Sequence, residues 1–303
     1  MTRTLLKTVA ATFLALLPIS GNAEAVSSRL ISTDAGSSEL IFALGLEQSL
    51  IAVDVTTQLP KGHRRLPNIG YHRNLSAEGL LSLNPTAVIG SEYMGPDSVI
   101  NALTLAKVTL IRLPSAKDSE QLRKNIIRLA GALDQPDRGQ QLSSRLDKQL
   151  ITLKSRALRE EQIAFILSVD STSLRLAGKG SGGDALIQLM GGNNVADFNN
   201  YQTVSAESLM VMQPSIIIVA GKTIQTAVVD LMAANPILKH SPAGNKQQII
   251  AVDGSTLVAG LSISAVEEAL RLVTQLNSPI NASINSSINA SINASINTQA
   301  ASH

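Results

Sequence analysis

An internal echo constrains this fold more than any other feature of the sequence. Residues 70–89 read GYHRNLSAEGLLSLNPTAVI, and residues 200–219 read NYQTVSAESLMVMQPSIIIV. Both carry a tyrosine, Ser-Ala-Glu, a helical leucine pattern and a proline ahead of an apolar strand, and a gap of one residue aligns them. A second echo pairs SELIFALG at 38–45 with DALIQLMG at 184–191, each an amphipathic helix running into a glycine stop. The two echoes keep the same order and lie 130 and 146 residues from their partners, which predicts a duplicated lobe.

Within each half, short apolar strands alternate with helices. Strands are expected at 50–55, 87–90 and 107–112 in the first half, and at 163–169, 216–220 and 248–252 in the second. That alternation implies an α/β protein of two similar Rossmann-like lobes, each a parallel sheet with helices on both faces. Residues 118–134 and 136–161 have helical periodicity, with Pro136 suited to a first turn, so the second helix is the expected backbone between lobes. The expected organisation is a leader at 1–25, an N-terminal lobe at 26–117, a helical connector at 118–161, a C-terminal lobe at 162–277 and a tail at 278–303. A ligand cleft between the lobes would be lined by loops at the carboxyl ends of strands, near Tyr71, 91–96, 170–183 and 221–223. A helical bridge limits hinge opening, so closure on a ligand should be modest.

The leader reads as an export signal. Arg3 and Lys7 precede an apolar run at 9–17 and small residues at 18–25, which predicts cleavage near residue 23 or 25 and a periplasmic product. Without Arg3 and Lys7, 23 basic residues face 23 acidic ones, so nothing points to a nucleic-acid surface. Cysteine is absent, which excludes a disulfide framework and a lipid-bearing cysteine anchor. From Pro279 the tail repeats Ile-Asn-Ala-Ser without a charge; its residues are weak helix formers, and disorder is expected there. The Asn-X-Ser sequons at Asn281, Asn285, Asn289 and Asn293 follow from that repeat.

Tyr71 sits in a turn before the helix that Ser76 caps. A phenol has an ordinary pKa of ~10, so holding a metal ion as phenolate requires a nearby cation. In an extended segment Arg73 projects to the same side as Tyr71 and can supply that charge, while His72 points away. Taken alone, the pair reads first as a half-buried aromatic and a solvated charge. Tyr201 duplicates Tyr71, but Gln202 and Thr203 replace the His-Arg pair, so a cleft-wall role is expected for it. His63 and His240 lack metal-cluster spacing and read as surface residues. The run GKGSGG at 178–183, which includes Lys179, lacks the glycine spacing of a phosphate-binding Walker loop and reads as a flexible rim. An exported α/β enzyme is disfavoured: no nucleophile elbow or dinucleotide fingerprint follows a strand, and the four histidines suggest no triad.

The motif GY-x-R at 70–73, followed by L-S-A-E-G-L-L-x-L-x-P at 75–85, resembles the periplasmic haem-binding proteins of bacterial haem ABC importers. The resemblance runs from Arg29 to about Leu276 and includes the helical-backbone layout. It implies a transported ligand, haem b in the ferric state, with Tyr71 as iron ligand and Arg73 supporting it; an anionic tyrosine oxygen favours ferric iron. It further implies that Glu78 and Glu207, one per lobe, dock onto arginines of an inner-membrane ABC permease–ATPase complex, with an outer-membrane haem receptor system upstream. The plainer reading of both glutamates is an acid complementing a helix dipole.

Under the same resemblance His72, Tyr93, Lys179, Tyr201 and Lys222 are pocket candidates. Tyr93 either stacks on the porphyrin or covers the sheet edge, and Lys222 either meets a propionate or is a solvated loop lysine. Some relatives take a second haem through a histidine after the strand that matches 163–169; Val169 and Asp170 stand there, so one haem is expected. The alternative cargo on this fold is a ferric siderophore or a corrinoid. An aromatic share of 2% with no Trp offers few stacking surfaces for a siderophore.

Overall fold

The computed structural model describes residues 28–168, 174–221, 223–257 and 260–277. The expected leader and tail, Val169, Asp170 and Lys222 lie outside the described residues. The chain opens with β1 (Leu30–Ser32), α1 (Ala35–Ala43), β2 (Leu50–Ala52), α2 (Ala77–Leu81), β3 (Ala87–Ser91), α3 (Asp97–Leu105) and β4 (Thr109–Leu113). Two helices follow, α4 (Ser119–Ala132) and the 20-residue α5 (Pro136–Ser155). The second half contains β5 (Gln162–Ser168), β6 (Leu174–Ala177), α6 (Gly182–Leu189), β7 (Asn193–Asn194), β8 (Tyr201–Val204) and α7 (Ala206–Val211). It ends with β9 (Ile216–Gly221), α8 (Ala227–Ala234), α9 (Pro242–Asn245), β10 (Ile249–Asp253) and α10 (Ile263–Leu276).

The first sheet is wholly parallel in the order β2-β1-β3-β4. In the second, β10, β9 and β5 are parallel neighbours and β7 pairs parallel with the start of β5. The order β7-β5-β9-β10 thus repeats β2-β1-β3-β4, which is the duplication at the level of topology. One correction concerns the second sheet, expected to be parallel: β6 pairs antiparallel with β5, and β8 antiparallel with β6, so the sheet is mixed. The cause lies in two short strands that the first half lacks.

Burial along the central strands alternates with the pleat. In β5, Ile163 and Phe165 face one apolar cluster while Ala164 and Ile166 face another; in β9, Ile216 and Ile218 are divided in the same way from Ile217 and Val219. Ala87 and Ile89 of β3 join the same cluster as Ile163 and Phe165, whereas Val88 turns to the outer face of the first sheet. One continuous core therefore passes from sheet to sheet through Leu142, Leu146 and Leu153 of α5 and the buried face of α10. Lobes that share a core of this kind resist being pulled far apart.

Polar contacts reinforce the junction. The Arg138 guanidinium on α5 donates to the carbonyls of Leu44 and Gly45 at the end of α1, at 2.8 and 3.0 Å. The Leu261 N–H donates to the Ala116 carbonyl at 2.7 Å, joining the segment after β4 to the approach to α10. Glu39 of α1 accepts the Ser264 N–H at 2.7 Å, satisfying a free amide in the first turn of α10. Burial raises the Glu39 carboxyl above its ordinary value, against the lowering effect of its Ser264 and Ser262 bonds.

Two stability measurements follow. A Cβ at Gly183 would lie 2.5 Å from the Phe165 ring and 2.6 Å from the Ala177 Cβ, so Gly183→Ala overpacks the contact between α6 and its sheet. We expect a loss of about 1–3 kcal/mol, read as a lower urea midpoint at unchanged m. For Glu39 the folded carboxyl binds its proton more tightly than the unfolded one. Its contribution is therefore complete below the ordinary pKa of 4.5 and is lost as pH rises through the raised value. Glu39→Gln keeps an acceptor for Ser264 and removes this dependence. The variant should match wild type in acid and exceed it increasingly toward neutral pH in thermal melts; a difference that stays flat with pH would contradict the assignment.

Candidate ligand-binding site

The site candidates of the first lobe lie beyond the carboxyl ends of β1, β2 and β3. The chain leaving β2 pairs with residues 67–70: Val53 N–H donates to the Pro67 carbonyl, Ile69 N–H to that of Val53, and Val55 N–H to that of Gly70, at 2.9–3.1 Å. Gly70 has φ +87°, a left-handed conformation that a side chain would strain. Its N–H donates to the Asn68 side-chain oxygen at 2.8 Å. Beyond Tyr71 a turn closes with Asn74 N–H donating to the Tyr71 carbonyl at 2.8 Å. The 91–96 loop holds the other side, with Gly95 N–H donating to the His72 carbonyl at 2.9 Å and Leu75 N–H to that of Gly95 at 3.0 Å. Residues 70–75 are thus pinned along both edges.

Within this frame side chains alternate. Tyr71 is 45% exposed and Arg73 is exposed, while His72 is 4% exposed between them. The Tyr71 and His72 rings lie 4.2 Å apart, centroid to centroid, tilted by 47°. The Arg73 guanidinium lies over the Tyr93 ring, 4.6 Å from its centroid. Tyr93 is 43% exposed, and Val55, beside Gly70, is 56% exposed. An exposed valine backbone-bonded to the residue before Tyr71 gives this rim an apolar member that sequence reasoning missed. Its only signal was its place at the carboxyl end of a predicted strand.

Beneath the turn lies a buried polar cluster. Asp34 caps α1 through the Ser37 N–H at 2.8 Å and accepts the Ser91 N–H at 2.5 Å. Asp54 accepts the hydroxyls of Thr56 and Thr57 at 2.7 and 2.8 Å, and burial raises its carboxyl above the ordinary value. Desolvation lowers the His72 imidazole below its usual value, although the charges of Asp34 and Asp54 pull the other way. His72 therefore serves as an inward anchor of the turn.

A cavity of about 290 Å³ lies between the lobes. Glu39, Phe42, Thr56 and Gln58 line it from the first half, and Asp253 and Ser264 from the second. Thr56 and Thr57, which line it, are the residues whose hydroxyls bond Asp54.

The duplicated tyrosine is placed differently. Tyr201 lies in β8, half-buried against the shared core, and its hydroxyl accepts the Gly183 N–H at 3.2 Å. Burial raises its phenol above the ordinary value, and the Arg175 guanidinium sits 5.7 Å from the ring centroid. Tyr201, expected as a cleft wall, packs at the start of α6. The reason is local: β6 gives the Tyr201 segment a hydrogen-bonding partner that the Tyr71 segment lacks.

Lys179 is exposed, but its backbone is fixed, its N–H donating to the Phe198 carbonyl at 2.7 Å and its carbonyl accepting the Asn200 N–H at 3.0 Å. The rim loop expected there is held at that point. Glu78 and Glu207 are exposed in the first turns of α2 and α7, capped by Ser76 and Ser205. Hydrogen bonds from its own N–H and from Ser205 hold the Glu207 carboxyl below the ordinary range. His240 is exposed as expected, but His63 is half-buried, its ring edge-on to Phe42 at 5.3 Å. Among the described residues no group of His, Cys, Asp and Glu side chains could hold a bare metal ion.

Solved structures share this architecture. The periplasmic heme binding protein HutB of Vibrio cholerae is 34% identical, with a TM-score of 0.76 over 83% of this chain and 100% of that one. A periplasmic heme binding protein from Pseudomonas aeruginosa is 29% identical, with a TM-score of 0.74 over 82% of this chain and 91% of that one. Among curated proteins, the vitamin B12-binding protein of Yersinia pestis (strain Pestoides F) is 22% identical over 197 residues, 64% of this chain and 70% of that one. The family described as periplasmic binding protein matches residues 30–256. The chain belongs to the periplasmic binding protein family.

Proposed function

We propose that this protein captures ferric haem b in the periplasm and delivers it to an inner-membrane ABC permease–ATPase complex, with Tyr71 as the iron ligand. The observation that carries this reading is an exposed phenol in a turn pinned on both edges, with a guanidinium two residues on and the exposed Val55 bonded to the residue before it. A pinned turn presents the phenol with little conformational freedom left to lose on binding. As its oxygen takes the ferric iron the phenol gives up its proton, and Arg73 offsets the resulting negative charge. Val55 supplies apolar contact for the porphyrin. The structural relatives named as heme-binding support haem over the corrinoid alternative, because at 34% and 29% identity they are closer to this chain than the vitamin B12-binding protein at 22%.

Titration of the purified protein with hemin tests the ligand. Wild type should develop the visible spectrum of high-spin tyrosinate haem at one equivalent. Tyr71→Phe should lose that spectrum, and Arg73→Ala should weaken binding by roughly tenfold, the range seen when a group that supports a metal ligand is removed. An unchanged spectrum in Tyr71→Phe would overturn the assignment, and preferential uptake of cobalamin in competition would move the cargo to a corrinoid.

Glu78 and Glu207 are exposed in the first turns of equivalent Ser-capped helices, one per lobe, and this pairing supports a role in docking onto arginines of a two-fold permease. Reversing either charge, Glu78→Arg or Glu207→Arg, should leave hemin titration unaltered and slow haem uptake into proteoliposomes holding the cognate transporter. Uptake at the wild-type rate in the double reversal would remove both residues from the docking surface.

A further inference from the structure

We infer that Tyr93 is a positioning residue for Arg73, fixing its guanidinium beside the phenol of Tyr71 rather than acting chiefly as a porphyrin-stacking ring. This rests on the haem reading and deepens it. The guanidinium lies 4.6 Å from the Tyr93 centroid, so one face of that ring is already occupied. The ring stands on a firm base. Glu92 N–H donates to the Leu113 carbonyl at 2.9 Å, Met94 N–H to that of Ser91 at 3.1 Å, and the Glu92 carboxylate accepts the Ser115 N–H at 3.0 Å. Gly95 then bonds to both His72 and Leu75, which fixes the Tyr93 loop in register with the segment carrying Tyr71 and Arg73.

The physical argument concerns an exposed arginine. Its long side chain has many rotamers, and a guanidinium that must be recruited from solvent loses that freedom when a ligand arrives. Cation–π stacking on Tyr93 removes most of the rotamers beforehand and leaves the edge of the planar fork, with its N–H donors, free to meet a phenolate. What the contact requires from residue 93 is an aromatic face; its hydroxyl is dispensable. A cation–π contact at an exposed site is worth a factor of about two to five in an equilibrium constant.

The test is a set of hemin titrations read by absorption spectra, using wild type, Tyr93→Phe, Tyr93→Leu, Arg73→Ala and the Arg73→Ala/Tyr93→Leu double variant. Tyr93→Phe should bind as wild type does. Tyr93→Leu should weaken hemin binding by ~2–5-fold and move the tyrosinate bands in the same direction as Arg73→Ala. The double variant should be no weaker than Arg73→Ala alone, because the two residues act along one path. The inference is overturned if Tyr93→Leu leaves affinity and bands at wild-type values, or if the losses add, which would put Tyr93 directly on the porphyrin. If Tyr71→Phe itself retains the wild-type spectrum, the haem reading falls and this inference with it. A spectrum that depends on Tyr71 but ignores Tyr93→Leu removes the inference alone. Residue 93 is 43% exposed, so the variants should fold, and urea midpoints check that they do.

Discussion

The backbone hydrogen bonds that hold residues 70–75 between the strand extension at 53–55 and the loop at 91–96 set the terms for everything at the rim. A segment bonded along both edges cannot rotate its peptide planes, so its side chains must alternate outward and inward. His72 is driven into the lobe, within reach of the charges of Asp34 and Asp54, and Tyr71 and Arg73 are driven out. The left-handed glycine at position 70 supplies the bend that starts the segment, and Leu75, buried at 5%, closes it on the apolar side. Pinning of this kind produces an outward phenol whether or not a ligand is present.

The scaffold behind that segment is stiff for a separate reason. Each sheet is covered on both faces, and the inner faces of the two sheets share a core with α5 and α10. Separating the lobes would expose part of a common apolar surface and break the Leu261 to Ala116 bond and the Glu39 to Ser264 bond. Exposed apolar area costs ~25 cal/mol per Å², so a wide opening is expensive while a small rocking is not. The site therefore depends on a shape present from the outset, with the lobes adjusting around it.

Much of this architecture was legible in the sequence because its signals were local. The apolar runs at 87–89 and 216–219, expected as strands, lie inside their sheets, and Ser76 caps its helix through a short-range bond to the Gly79 amide. The inward turn of His72 followed from spacing alone. What sequence could not give depended on distant partners. The strands β6 and β8 have only four residues each, and their place in the sheet is set by pairing, β6 with β5 and β8 with β6. The stacking of Arg73 on Tyr93 likewise arises from a bond between Gly95 and His72 across 23 positions. Asp54 falls within the strand expected at 50–55, and nothing in that pattern shows that the hydroxyls of Thr56 and Thr57 bond its carboxylate.

The two tyrosines descend from equivalent places in the repeat, yet only one is presented at a rim. In the second lobe the antiparallel pair β6 and β8 extends the sheet past β5, and Tyr201 lies opposite Ala177 in that ladder. Once in a strand, Tyr201 must point to one face or the other, and the face it takes brings its hydroxyl to the Gly183 amide at the start of α6. That amide is one of those a helix start leaves unpaired, so the bond removes a cost, while burial raises the phenol above its ordinary value against the lowering effect of that same bond. The first lobe has no counterpart of β6, so the Tyr71 segment finds its bonds in loops and its ring stays outside. Insertion of one short strand pair is thus enough to convert one copy of a duplicated tyrosine into a packing residue. The other keeps its ring 45% exposed at the rim of the first lobe.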